Sequence, residues 1–213
     1  MRGVGFIAKH LANVRILAKG YTPERVDFTT WENQFSAGAW KRLEGETEAG
    51  RYSVMVGFCQ TLSKKVLLDV GCGQGVLSGR LQCLSYERYV GLDLSPTAVQ
   101  HAINCNSSRR NRFVVADAES FVPDERFDMI IFNECLYYFD QPIKLIERYM
   151  TFLDSSGHVL VSMYNCVRAR SLWNLISRHM NVVDGGTFTH LSGASWTMKI
   201  LAPTPSARFS PPV

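Results

Sequence analysis

A chain of 213 residues with 46% hydrophobic, 20% charged and 11% aromatic residues has the composition of an ordinary soluble globular protein, long enough to bury a sizeable core. No apolar run approaches the ~20 residues a membrane-spanning helix needs, and the aromatic content without any repeat excludes a disordered or fibrous chain. The net charge of +4, from 23 basic and 19 acidic residues, is too mild to argue for a nucleic-acid partner.

The first 23 residues hold Arg2, Lys9, Arg15 and Lys19 but no acid, with Ile7, Leu11, Val14 and Ala18 at helical spacing. The segment reads as a basic amphipathic helix. Three roles compete for it: packing on the domain or over its ligand cleft, contact with an anionic membrane surface, or targeting. The lack of serine speaks against a transit peptide. The next stretch carries Trp31, Phe35 and Trp40, too many large aromatics for a linker, with charges between them that keep it from being plain core. A helical extension or lid is expected over residues 1–60, with Arg51 and Tyr52 near its end. The main domain should span 61–202. Pro203, Pro205, Pro211 and Pro212 deny helix and central strand to a disordered tail over 203–213.

From Lys65 onward the chain repeats a short apolar run, a turn signal and a helical stretch. The runs at 66–70, 89–93, 113–115, 129–132 and 158–163 are near-continuous rather than alternating, as expected of parallel strands covered on both faces. Ser95 and Pro96 supply an N-cap with a first-turn proline; Asp140 and Pro142 repeat the device, and Gly157 is expected to close that helix. Leu172, Trp173, Ile176 and Met180 mark another helix. The segments 182–190 and 195–201 are too close for a crossover helix, so they must be antiparallel neighbours at the sheet edge.

The chemistry begins at Asp69-Val-Gly71-Cys-Gly73-Gln-Gly75, which follows the first strand and opens a helix. Glycines there let a ligand lie on bare backbone at a helix start. Asp93 ends the second strand, 22 residues after Gly71, where an acid meets a ribose diol, and Asp117 follows the third strand, where a polar group reads a base edge. The spacing is G-x-G-x-G, not the dinucleotide G-x-G-x-x-G, and the Asp69 carboxylate disfavours phosphate. A nucleoside ligand with a cationic amino end suits the turn better than a nicotinamide dinucleotide.

Val66-Leu-Leu-Asp-Val-Gly-Cys-Gly-Gln-Gly75, Val90-Gly-Leu-Asp-Leu-Ser95, Val115-Ala-Asp-Ala118 and Phe127-Asp-Met-Ile-Ile-Phe-Asn-Glu-Cys-Leu-Tyr-Tyr138 together resemble the successive motifs of class I S-adenosylmethionine-dependent methyltransferases. The resemblance spans 66–201. It implies a Rossmann-like α/β fold, with a mostly parallel seven-stranded sheet and an antiparallel edge hairpin, and S-adenosyl-L-methionine as cofactor. It implies that Asp69, Gly71, Cys72, Gly73 and Gly75 hold the methionine portion, Asp93 and Leu94 the ribose, Asp117 and Ala118 the adenine, with Asn133 on the cofactor side of the fourth strand. It places Glu134, Tyr137 and Tyr138 near the transferring methyl group as candidate catalytic groups, without the histidine many relatives carry there. Trp31, Trp40, Arg51 and Tyr52 become candidate acceptor contacts; Arg51 and Tyr52 could equally touch the cofactor's carboxylate or anchor the lid. On this view cofactor contacts lie on 69–117 and the lid walls the acceptor, so loss of residues 1–45 should spare cofactor binding.

A narrower likeness to methyltransferases of sugars and amino sugars, including nodulation-factor N-methyltransferases, points to a small-molecule acceptor for O- or N-methylation. The competing reading is a non-catalytic cofactor-binding regulatory or scaffolding protein. A nucleic-acid methyltransferase lacks support, since Arg109, Arg110 and Arg112 form only a short basic turn. The cysteines at 59, 72, 83, 105, 135 and 166 have neither metal-ligand spacing nor a signal peptide that would imply disulfides. A reduced, cytoplasmic chain with no metal is expected, its cysteines mostly in apolar segments.

Overall fold

A computed structural model of the chain describes residues 21–63 and 65–203. The expected basic helix lies almost wholly outside the described residues, as does all of the expected tail except Pro203. The apolar runs form the strands β1 (Val66–Val70), β2 (Arg88–Asp93), β3 (Asn111–Val115), β4 (Phe127–Asn133) and β5 (Leu153–Tyr164), joined at the far side by β6 (Asn181–Thr189) and β7 (Ser195–Ala202). Their spatial order is β3-β2-β1-β4-β5-β7-β6. Neighbours from β3 to β5 are parallel; β7 runs antiparallel to both β5 and β6, as the short 191–194 connection requires. Chain order reverses between β1 and β4, whose carboxyl ends therefore open the crevice where sheets of this kind take ligands.

Strand alternation sorts the core into two layers. Leu68, Val70, Ile130, Phe132, Val159 and Val161 pack with Leu145, Ile146 and Tyr149 of α5 (Pro142–Met150) and Leu172, Trp173 and Ile176 of α6 (Val167–His179). Leu67, Met129, Ile131, Leu160, Met198 and Ile200 face the other way, against α2 (Glu46–Thr61) and Leu77 and Leu81 of α3 (Val76–Leu81). Tyr52, Met55 and Cys59 of α2 lie within this second layer, so the latter part of the extension is built into the core. Its first part is α1 (Phe28–Ser36), capped by Asp27, whose carboxylate accepts from Thr30 N at 2.9 Å, followed by the 3-10 turn Ala39–Glu44. The remaining helix is α4 (Pro96–Asn106), which starts as expected: Ser95 Oγ accepts from Ala98 N at 3.0 Å, with proline next.

Two local expectations fail. The N-cap of α5 is Gln141, and it makes no side-chain cap; Asp140 instead pairs with Arg25 at 2.8 Å. Gly157 does not end α5, which stops at Met150, but lies inside β5, where pairing with β4 jumps from Leu153–Phe127 to His158–Met129. A Cβ at 157 would come within 2.9 Å of both the Leu153 side chain and the Phe127 carbonyl, so the glycine serves a close approach in an irregular strand. None of the six cysteines forms a disulfide. Cys59, Cys72 and Cys135 are buried, but Cys83, Cys105 and Cys166 are exposed, against the expectation that most lie in apolar surroundings.

Candidate active site

At the carboxyl ends of β1, β2 and β4 a cleft of 690 Å³ runs under α1 and the Ala39–Glu44 turn. It is lined by Gly71, Cys72, Gly73, Asp93, Leu94, Asp117, Ala118, Asn133, Glu134, Tyr137, Tyr138, Trp31, Trp40, Arg51 and Tyr52, which brings together all but two of the residues singled out from the sequence. The two outside the lining are Asp69 and Gly75.

Gly75 is a packing residue. A Cβ there would meet Asn106 Nδ2 at 2.8 Å and Ala102 Cβ at 2.9 Å, so it lets α3 start against α4. Gly73 is different: its φ is +54°, and a Cβ would meet nothing nearer than the Phe35 ring at 3.9 Å, across the cleft. The bare backbone faces open space. Asp69 shares strand parity with Leu67 and so points beneath the turn, toward α2 and α3. It is fully buried, Tyr89 Oη donates to its Oδ2 at 2.7 Å, and its Oδ1 has no hydrogen-bond partner. Burial pushes this carboxyl up to about 7.

Asp93 ends β2 at the cleft wall. Its carboxylate accepts from Gly73 N at 2.9 Å and Ser95 N at 3.0 Å, which aims it across the turn while leaving lone pairs toward the cleft; burial raises its pKa. Asp117 lies two residues beyond the end of β3, where Oδ1 accepts from Glu119 N at 2.8 Å. Arg51 enters from α2 with a fully buried guanidinium. Nε donates to Glu48 at 2.5 Å and Nη1 to Asn133 Oδ1 at 2.6 Å, and the group sits 4.0 Å from the Tyr52 ring centre. Its Nη2 has no partner. Arg51 lines the cleft, so a buried cation with one unspent donor stands at its wall.

Just past β4, Glu134 adopts φ +58°, a left-handed conformation that costs a non-glycine residue on the order of 1–2 kcal/mol. The turn sends its side chain back onto β5, where the carboxylate accepts from Ser162 Oγ at 3.0 Å, Tyr137 Oη at 2.9 Å and Tyr164 N at 2.9 Å. Glu134 is therefore a hydrogen-bonded anchor of the strand tips as well as a cleft residue, with a carboxyl raised by burial. Tyr138 meets Trp31 edge to face at 4.8 Å between centroids and Tyr137 at 4.8 Å. Trp31 and Trp40 lie 5.5 Å apart, and Phe35 and Trp40 5.7 Å, so the lid aromatics and the β4 loop do form one wall.

Several residues that shape the cleft go unannounced in the sequence. Tyr21 Oη donates to Leu136 O at 3.2 Å and Phe139 O at 2.8 Å, and Glu24 N donates to Tyr137 O at 2.7 Å. Residues 21–24 thus strap the one-turn helix Leu136–Tyr138, and Arg168 of α6 holds the strap by donating to Thr22 O at 3.2 Å and pairing with Glu24 at 2.5 Å. Glu32 of α1 accepts from Ser95 Oγ and, at 2.7 Å, from Thr97 Oγ1. The Glu32–Ser95 and Tyr21–Phe139 partners are 63 and 118 residues apart, and local sequence carries no signal for them. Glu32 and Phe35 place the lid on the Asp93–Gly73 side of the cleft as well as beside the β4 loop, contrary to a lid concerned with the acceptor alone. Among the described residues no group of three or more His, Cys, Asp or Glu side chains could hold a metal ion, and no helix is long and apolar enough to cross a membrane.

The chain is similar to several known methyltransferases. The sequence is 29% identical over 100 residues to a malonyl-[acyl-carrier protein] O-methyltransferase of Ilyobacter polytropus, covering 46% of this chain and 37% of that protein. It is 25% identical over 137 residues to a ubiquinone biosynthesis O-methyltransferase of Hydrogenovibrio crunogenus, covering 62% and 56%. The chain thus spans little more than a third to about half of these relatives' lengths. The N-methyltransferase NodS of Bradyrhizobium japonicum, solved with S-adenosyl-L-homocysteine, superposes with TM-score 0.69 at 18% identity, covering 82% of this chain and 96% of NodS. At that identity the likeness is one of fold. The profile of the family described as a methyltransferase domain matches residues 48–195, more than half of the chain and including every strand from β1 to β6. The chain belongs to that family, the S-adenosylmethionine-dependent methyltransferases.

Proposed function

We propose that this methyltransferase acts on a small molecule, by O- or N-methylation, enclosed between the lid aromatics and the β4 loop. The observation that carries the reading is the continuity of one roofed cleft, from the open backbone of Gly73 and the Asp93 carboxylate to Tyr137 and Tyr138. A roof made by Trp31, Phe35 and Trp40 leaves room for a small acceptor rather than a folded protein or a duplex. The relatives named above are both O-methyltransferases, in keeping with a hydroxyl or carboxyl acceptor as one of the two options.

The residues fit S-adenosylmethionine at three points. The unspent Nη2 of Arg51 suits its carboxylate, the unpartnered Oδ1 of Asp69 beneath the turn favours its ammonium through the buried field, and the space over Gly73 admits its chain. Asp93 would accept the ribose hydroxyls, with Leu94 beside it, while Asp117 and Ala118 border the base. The cofactor supplies the methyl group as an electrophile activated by its sulfonium. The chain's share is to align the acceptor, exclude water and take up a proton where the acceptor is a hydroxyl. Tyr137 would take that proton, a role supported by its Oη, which donates to Glu134 and keeps a lone pair for an acceptor O–H. Its own proton would pass to Glu134, whose carboxyl burial has made more basic. An amine acceptor needs only to be unprotonated and positioned. Aromatic faces suit a sugar ring or an amine, in keeping with an amino-sugar or sugar acceptor.

The test is a screen of amino sugars, sugars, small amines, catechols and malonyl thioesters with the intact protein, following S-adenosylhomocysteine release. Turnover of one class supports the reading, with loss in Tyr137→Phe where the acceptor is a hydroxyl. Cofactor binding without turnover of any small acceptor, alongside methylation of a protein or nucleic acid, refutes it.

A further inference from the structure

The lid is tied at both ends of the cleft. At one end Glu32 accepts from Ser95 Oγ and Thr97 Oγ1, on the first turn of α4. Ser95 is the same residue whose backbone N–H donates to Asp93 and whose hydroxyl caps α4. The latch therefore lands on the corner that orients the Asp93 carboxylate, and hydrogen bonding to Ser95 holds the Glu32 carboxyl below its usual range. At the other end Trp31, the preceding residue in α1, packs edge to face on Tyr138, and four residues before α1 Glu24 N donates to the Tyr137 carbonyl. The Asp93 corner and the β4 loop are thereby joined through α1.

We propose that Glu32 is a positioning residue that couples the two halves of the cleft: a ligand held by Asp93 steadies Ser95 and the latch, and the latched α1 steadies Tyr137 and Tyr138 for the acceptor. The inference rests on the cleft reading given above. A ligand shifts such an equilibrium only by its differential affinity for the latched state. Here that difference arises because Glu32, Ser95 and Asp93 are one bonded series, so ordering any member favours the others. The consequence is cooperative binding: cofactor and acceptor each raise the other's affinity by the same factor.

Two measurements on the full chain test it, with S-adenosylhomocysteine as the probe. Calorimetric titration should find affinity about tenfold lower in Glu32→Ala, the scale of one lost charge-assisted hydrogen bond. Glu32→Gln, which keeps one acceptor oxygen, should recover part of the loss, and Thr97→Val should show a smaller one while leaving the Ser95 cap intact. Amide hydrogen exchange over residues 134–140 should slow on saturation of the wild type with S-adenosylhomocysteine and slow much less in Glu32→Ala at equal saturation. A purely structural Glu32 would alter exchange in both the free and the bound protein and leave the ligand-induced difference unchanged. Wild-type affinity in Glu32→Ala, or an undiminished ligand-induced slowing at 134–140, overturns the proposal. A wild type that binds the probe without any slowing there also overturns it, whereas a wild type that fails to bind the probe overturns the cleft reading instead.

Discussion

The buried Asp69 makes cofactor binding sensitive to pH in a direction that follows from its surroundings. Burial raises its carboxyl to about 7, partly offset by the Tyr89 hydrogen bond and by Arg51. In the ligand-free protein the neutral form is favoured, so between about pH 4 and 7 the fold holds a proton the unfolded chain releases; the Asp69 contribution to stability falls as pH rises through that window. A cationic ammonium above the turn reverses the preference and favours ionised Asp69. Binding should therefore tighten as pH rises through 7. At pH 5.5 about one Asp69 in thirty is ionised, so affinity for S-adenosylhomocysteine should be roughly thirtyfold weaker than the ionised limit, ~2 kcal/mol. In calorimetric titrations from pH 5.5 to 7.5 the ligand's own amino group, with an ordinary pKa of about 7.7–8.0, begins to lose its proton only towards the upper end, where it opposes the slope. Asp69→Asn keeps an acceptor for Tyr89 and removes the titration, so its affinity should vary much less across the series and lie below wild type at pH 7.5. Asp93 is raised as well and would add slope of the same sign. A slope that survives unchanged in Asp69→Asn, or a flat wild-type profile, would refute the role given to Asp69.

Gly73→Val fills the open backbone face over which only Phe35 stands, and should lower cofactor affinity at least hundredfold while costing only about 1–2 kcal/mol of stability for a side chain at positive φ, read by calorimetry and thermal unfolding. Asp93→Ala should weaken S-adenosylhomocysteine by about 1–3 kcal/mol, and the difference from wild type should shrink for a 2′,3′-dideoxy analogue, which has no ribose hydroxyls to lose. Tyr21→Phe leaves the Phe139 carbonyl without its Tyr21 donor and the Leu136 carbonyl with the long 3.4 Å bond from Phe139 N; stability should drop by about 1–3 kcal/mol and amide exchange at 136–139 should quicken, and unaltered exchange would show that the strap does not hold the turn.

Much of this protein could be read directly from its residues. Short β-branched runs, the Ser95–Pro96 start and the close spacing of the last two strands are local signals, and they suffice for a parallel sheet with one antiparallel strand. Glycines after a strand and an acid about twenty residues later point to a nucleoside site by chemistry alone, because backbone approach and diol recognition depend on residue type at set strand ends, and the fold brings Gly73 and Asp93 to one cleft. What each residue does there was decided in three dimensions. Strand parity turned Asp69 away from the cleft and under the turn, and neighbouring helices made Gly75 a packing position while Gly73 faced open space. The left-handed Glu134 spends its carboxylate on Ser162, Tyr137 and Tyr164, a set that exists only once β4 and β5 lie side by side. Gly157, which by itself resembles a helix stop, is required by a carbonyl from β4 that only the sheet brings near. The lid's attachments through Tyr21, Glu24 and Glu32 join residues at least 63 positions apart, and long-range polar pairs leave no periodicity or spacing in a sequence because their partners meet only through the fold.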